Sequence, residues 1–169
     1  MAVDSFKFLP RLITFLYQAI ERDTLLPIPW TPLPKPLADC RFALVTTGGL
    51  YDASTGEPFD LERERAEPTW GDPGYRQIKR DFQQQNIRVS HLHINPAMPE
   101  ADINVLLPIN RFEELAAAGT IGSVAETHYS FMGFQGYPAD TTEWEQTYAP
   151  EVIRRMKAEE VDCVLLTPA

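Results

Sequence analysis

Three histidines, a glycine pair closing an apolar run, and two cysteines are the groups of this chain with chemistry to offer. His91 and His93 stand two apart, so in a strand both would face one side and could converge on a metal ion. His128 could complete a three-nitrogen site, with Glu126, Asp102 or Glu100 as a carboxylate alternative. The same residues also read as one histidine hydrogen-bonded in the core and two at a sheet edge, and no metal is assigned to them. Thr46-Thr47-Gly48-Gly49 could turn backbone N–H groups toward an anion, as glycine-rich turns do. It has neither a Walker lysine nor the third glycine of a dinucleotide fingerprint, so a small carboxylate or a neighbouring loop suits it better than a nucleotide. Ser90 adjoins His91, but adjacent strand residues point to opposite faces, so no nucleophilic triad is declared. Cys40 and Cys163 sit at or inside apolar runs with no basic partner nearby to lower a thiol pKa, and they read as inert buried thiols.

These groups need elements to hold them. Residues 41–47 (Arg-Phe-Ala-Leu-Val-Thr-Thr) are the first confident strand, and the glycine pair after it marks a sharp turn or a close approach. Residues 87–91 read as a short strand carrying His91 at its end, and residues 103–107, closed by Pro108, read as another. Asn110 is placed to cap a helix over 111–118 that ends at Gly119, and 121–125 is a short strand candidate. Thr141 or Thr142 caps a helix running through Trp144, Pro150 and Met156. The apolar, β-branched run at 161–167 reads as a strand buried on both faces, as strands of parallel sheets are. Strand, helix, strand with short joins predicts an α/β fold, a mainly parallel sheet flanked by helices in Rossmann-like or flavodoxin-like layering. Residues 51–80 look irregular, a loop long enough to serve as a lid, with Glu62, Arg63, Glu64 and Arg65 as a solvated mixed-charge face.

Three segments follow. Residues 1–26 carry an apolar helix over 5–21, whose wide apolar surface could meet the sheet or a second molecule. Residues 27–39 are a proline-rich, extended connector in which Trp30 serves as an anchor, and residues 40–169 form the α/β domain. A net charge of −9 disfavours nonspecific binding to nucleic acid or to an anionic membrane. No run approaches membrane-spanning length and no cleavable signal is visible, so the cytoplasm is the expected compartment.

The run Ala43-Leu44-Val45-Thr46-Thr47-Gly48-Gly49 resembles the first strand and turn of the selenoprotein B subunits of glycine, sarcosine, betaine and D-proline reductases. The resemblance continues through residues 71–76 (Gly-Asp-Pro-Gly-Tyr-Arg), Ser90-His91-Leu92-His93, residues 119–125 and residues 128–133. It is strongest over residues 102–111 (Asp-Ile-Asn-Val-Leu-Leu-Pro-Ile-Asn-Arg), and residues 161–167 also fit. Asn110, Leu92 and Asn95 depart from residues that are often acidic in the family. The resemblance implies an oxidoreductase subunit that reductively cleaves a small amine or amino-acid-like substrate. It implies a selenocysteine, or cysteine, in a loop directly after the strand at 161–167, with a second cysteine soon after. It also implies a pyruvoyl group on a partner subunit, other reductase subunits, and a thioredoxin-like or other dithiol redox donor. No cofactor is expected to be bound by this chain itself.

On that resemblance no catalytic residue lies within the 169 residues, and an in-frame UGA read as a stop would account for its absence. Thr46, Thr47, Gly48, Gly49, Ser90, His91, His93, His128 and Thr167 are then expected to line the pocket, with the histidines supplying hydrogen bonds or protons. A non-catalytic binding or assembly module acting through residues 5–21, a truncated inactive paralogue, and a histidine-based metalloenzyme are the alternatives.

Overall fold

A computed structural model describes residues 31–169 except Pro68, His93 and Tyr137. The expected apolar helix, Trp30 and His93 therefore lie outside the described residues. The unit Leu33–Ala169 is compact by itself. Thr31 to Pro36 run exposed into a 3-10 turn, Leu37–Asp39, before the first strand begins.

The strands are β1 (Arg41–Thr46), β2 (Leu50–Asp52), β3 (Tyr75–Lys79), β4 (Ile87–Val89), β5 (Ser123–Val124), β6 (Thr127–Phe131) and β7 (Cys163–Thr167). The helices are α1 (Leu61–Ala66), α2 (Ala97–Ala101), α3 (Ile109–Ala117) and α4 (Ala149–Ala158). Strand β1 is the centre of the main sheet. It pairs in parallel with β7 along its whole length, Phe42 opposite Cys163 through Thr46 opposite Thr167. Its other edge pairs in parallel with β5 at Arg41 and Phe42, then with β6 at Val45 and Thr46. The far edge of β6 carries β3 antiparallel, Tyr75 opposite Phe131. The fold is therefore α/β with a mixed sheet, and β2 and β4 form a separate antiparallel pair.

Alternation along β1 and β6 divides the core in two. Ala43, Tyr129 and Phe131 pack with Val152 and Met156 of α4. Leu44 belongs to the opposite cluster with Ile78, Leu50, Ile87, Ile103 and Ile109. Helix α4 follows a π-turn at Trp144–Tyr148. Pro150 offers no N–H to the Gln146 carbonyl and its ring crowds that oxygen, so the preceding turn widens to a longer hydrogen-bond spacing.

Four expectations need correction. Residues 103–107 are not a strand: Ile103–Val105 is a 3-10 turn whose N-terminus is held by Asp102, which accepts from Asn104 N. Helix α3 is capped by Asn104 rather than by Asn110, since Asn104 Oδ1 accepts from Asn110 N at 3.1 Å; its end matches expectation, with Gly119 at φ +71°. Residues 51–80 contain α1 and β3, and Glu64 of the supposedly solvated face is buried. Finally, β7 is not buried on both faces. Among the described residues it pairs only with β1, and Val164 and Leu166 are 43% and 69% exposed.

An open strand edge flanked by exposed apolar side chains templates association. Leu166→Lys should change folding stability by less than about 0.5 kcal/mol, because little apolar area is lost there, while raising the concentration at which light scattering first detects aggregates. Unchanged aggregation would place the sticky surface elsewhere.

Candidate active site at the carboxyl edge of the sheet

Strands β1, β6 and β7 run parallel, so their carboxyl ends meet at one edge of the sheet. Three threonine hydroxyls tie the ends of β1 and β7 together. Thr46 is buried; its Oγ1 donates to the Thr167 carbonyl at 3.0 Å and accepts from Gly48 N at 3.1 Å. The Thr167 hydroxyl lies 2.7 Å from the Leu106 carbonyl and 3.1 Å from that of Val45. Thr47 Oγ1 accepts from Ala169 N at 2.9 Å, just beyond β7.

The amides of the glycine turn are consumed within this network. Thr47 N donates to the Thr167 carbonyl at 3.3 Å and Gly49 N to the Phe131 carbonyl at 2.9 Å, while Leu50 N donates to Ser130 Oγ at 2.7 Å. The turn therefore braces the sheet, its N–H groups meeting neighbouring segments of the chain, the second of the two occupants its composition allowed. Gly49 is required here both by conformation and by close approach to backbone. Gly49 has φ +63°, and a Cβ there would fall 2.4 Å from the Ser90 carbonyl oxygen. At Gly48 a Cβ would meet Leu106 Cδ1 at 2.7 Å.

Leu106 and Gly133 belong to this edge too, and the sequence did not single them out. A Cβ at Gly133 would lie 3.0 Å from the carbonyl oxygens of both Thr47 and Ala169. The signal available was their position inside the two runs that carry much of the family resemblance, 102–111 and 128–133.

Ser90 and His91 follow β4 rather than lying in it, so the strand argument for pairing His91 with His93 does not apply. Ser90 is buried, its N–H donates to the Gly49 carbonyl at 2.8 Å, and it joins the turn to a cleft of about 870 Å³. That cleft is walled by Tyr51, Val89 and residues 57–62 and floored by Asp72 and Arg76. Arg76 is fixed across it: its guanidinium lies 4.1 Å from the Phe59 ring centre, donates to the Glu57 and Pro58 carbonyls, and pairs with Asp72.

His128 sits apart from this edge, in the middle of β6, and is fully buried. Its Nδ1 accepts from Leu44 N at 3.1 Å. Strand β1 loses its backbone partner there, between the end of β5 and the start of β6, and the imidazole fills the gap. Glu159 completes the repair by accepting from the Glu126 and Thr127 amides at 2.9 and 3.2 Å. Burial pushes the His128 pKa down to about 4, opposed by Glu159 and assisted by Arg80. A neutral ring with Nδ1 occupied by a backbone amide is a structural group, and the structure does not bring it to the pocket. Among the described residues no three His, Cys, Asp or Glu side chains gather as a metal site. Cys163 is a poor nucleophile, its pKa raised by burial and then by the Cys40 thiol beside it. Both cysteines are free.

A family model described as glycine/sarcosine/betaine reductase selenoprotein B matches residues 23–169. The chain belongs to that family. D-proline reductase subunit gamma of Acetoanaerobium sticklandii is 34% identical over 138 residues, covering 82% of this chain and 52% of the relative. Glycine reductase complex component B subunit gamma of Symbiobacterium thermophilum is 29% identical over 140 residues, covering 83% and 31%. Betaine reductase complex component B subunit beta of Peptoclostridium acidaminophilum is 30% identical over 134 residues, covering 79% and 29%. The chain thus spans about half, or less, of the length of these curated relatives. No solved structure matches it. Among the described residues no helix is long and apolar enough to cross a membrane.

Proposed function

We propose that this chain forms part of a subunit of a selenol- or thiol-dependent reductase that cleaves a small amine or amino-acid-like substrate. The observation that carries the reading is the convergence of β1, β6 and β7 on one edge, bordered by Ser90 and a large cleft. In open α/β sheets ligands are bound beyond the carboxyl ends of the strands. The reactive residue is placed on a segment that continues from β7, where a rigid strand would hold a nucleophile steady. A selenol ionises below neutral pH, so it needs no strong neighbouring base.

In this reading Thr46, Thr47, Gly48, Gly49 and Thr167 shape the floor, Ser90 and His91 line the mouth, and His91 moves protons. The activating pyruvoyl group belongs to a partner subunit, and no residue of this chain is assigned to hold it. Other reductase subunits and a thioredoxin-like dithiol donor are the proposed partners, and the cytoplasm the proposed compartment.

Intact mass and selenium content of the protein purified from its natural source test this. Selenium in a polypeptide extending past Ala169, supported by an in-frame UGA and a nearby downstream cysteine codon, is the expected result. A selenium-free native product ending at Ala169, with no coding potential downstream, would overturn the catalytic reading.

A further inference from the structure

Thr47 has a role that neither core packing nor the family match accounts for. Its backbone N–H holds Thr167, the last residue of β7, and its hydroxyl accepts from Ala169 N two residues later. Thr46 Oγ1, directly beneath, donates to the same Thr167 carbonyl. The chain leaving β7 is thus held at Thr167 and again at Ala169 by Thr46 and Thr47, and Gly133 leaves room for it, since a Cβ there would crowd the Ala169 carbonyl. Such a grip is redundant for the sheet itself, which already has the continuous β1–β7 ladder from Phe42 to Thr46. Its specific effect is to set the direction in which the segment after Thr167 crosses the edge.

We infer that Thr47 is a positioning residue, with Thr46 as its support, that aims the reactive segment after β7 at the mouth formed by the glycine turn and Ser90. The inference rests on the proposed function, because only a reactive group on that segment needs aiming. A misplacement of about 1 Å at a reacting atom can cost on the order of a hundredfold in rate. The loss of one hydroxyl that sets the exit path falls on turnover rather than on substrate affinity. It also alters where the anion lies relative to the fixed dipoles of the edge, and so changes its ionisation.

The test uses the complete reductase complex carrying Thr47→Val, Thr47→Ala and Thr47→Ser. Turnover is measured together with the pH midpoint for iodoacetamide alkylation of the peptide following Thr167, and with the melting temperature. The expected result is a fall in kcat of about tenfold or more for the Val and Ala variants, KM within twofold, and a displaced alkylation midpoint. Thr47→Ser should restore both. If the parent is alkylated in that peptide but the variants match it in kcat and midpoint, this inference fails and the proposed function stands. If the Val and Ala variants only melt earlier, and Ser fails to rescue kcat, Thr47 is structural and the inference fails. If the parent carries no alkylatable residue there, both fall. Thr47 is only partly buried, so these variants should fold.

Discussion

Lowering the pH from 7 to 4 should remove about 3 kcal/mol of folding stability through His128 alone. The imidazole titrates at about 4 in the folded chain, against an ordinary value of 6.5. Between those values the unfolded chain binds a proton that the folded chain refuses. Stability therefore falls as pH drops through that window, is unaffected above it, and loses nothing further from this residue below it. Urea melts at half-unit steps from pH 7 to 4 should show the slope. His128→Asn keeps an acceptor atom at the position of Nδ1 but does not titrate, so its profile should be flatter across the window. His128→Leu should be flat too but weaker throughout, because the Leu44 amide is left buried without a partner, at a cost of about 1–3 kcal/mol. Equal slopes for the parent and His128→Asn would show that another group drives the acid response. Carboxylates held low by backbone or cationic partners, such as Asp162 with Arg41 N and Lys35, lose their stabilising charge at still lower pH.

Gly49→Ala should be the most damaging single methyl group at the candidate site. Two independent costs meet there. The left-handed φ of +63° penalises any L side chain by about 1–2 kcal/mol. The new Cβ also lies 2.4 Å from the Ser90 carbonyl oxygen, a backbone atom tied back to Gly49 by its own N–H. Relief requires moving the β2–β4 pair away from the main sheet, giving up the Ser90–Gly49 and Gly49–Phe131 hydrogen bonds. A total of about 3 kcal/mol or more is expected. Gly119→Ala is the control, since its φ is +71° but nothing lies within 4 Å of the added carbon; it should lose only about 1 kcal/mol. Guanidinium midpoints of the two variants, measured at constant m, separate strain from collision. Equal losses would mean that the Ser90 loop yields freely.

The parts of this fold that the sequence announced are those where local pattern and tertiary role agree. The runs that became β1 and β7 are apolar and β-branched, and they form the longest parallel ladder of the sheet. Helix α3 was legible from its Gly119 stop, though not from the Asn110 cap. Strand β6 was not, because Thr127, His128 and Ser130 are polar yet fully enclosed. Each is justified by a specific partner: Lys79 Nζ on Thr127 Oγ1, the Leu44 amide on His128, the Leu50 amide on Ser130. Those partners come from distant sequence, and no periodicity encodes them. Residues 103–107 failed in the opposite way, an apolar run that turns because Asp102 and Asn104 offer side-chain acceptors to nearby amides. At the candidate site, Thr46–Gly49, Ser90 and Thr167 lie together at one edge of the sheet. His128, named with them from the sequence, lies apart, inside the sheet.

The pairing of β1 with β7 also governs when this protein can acquire its shape. Phe42 waits for Cys163, and Thr46 for Thr167, across a separation of 121 residues. During synthesis the central strand emerges early with one whole flank unmatched, and Leu44 and Val45 stay within reach of any passing sticky surface. Long-range parallel pairing of this kind is slow to form and exposes the nascent chain to misassembly. Strand β7 must leave the ribosome before this ladder can form, so that flank of β1 stays unpaired until residue 167 has emerged.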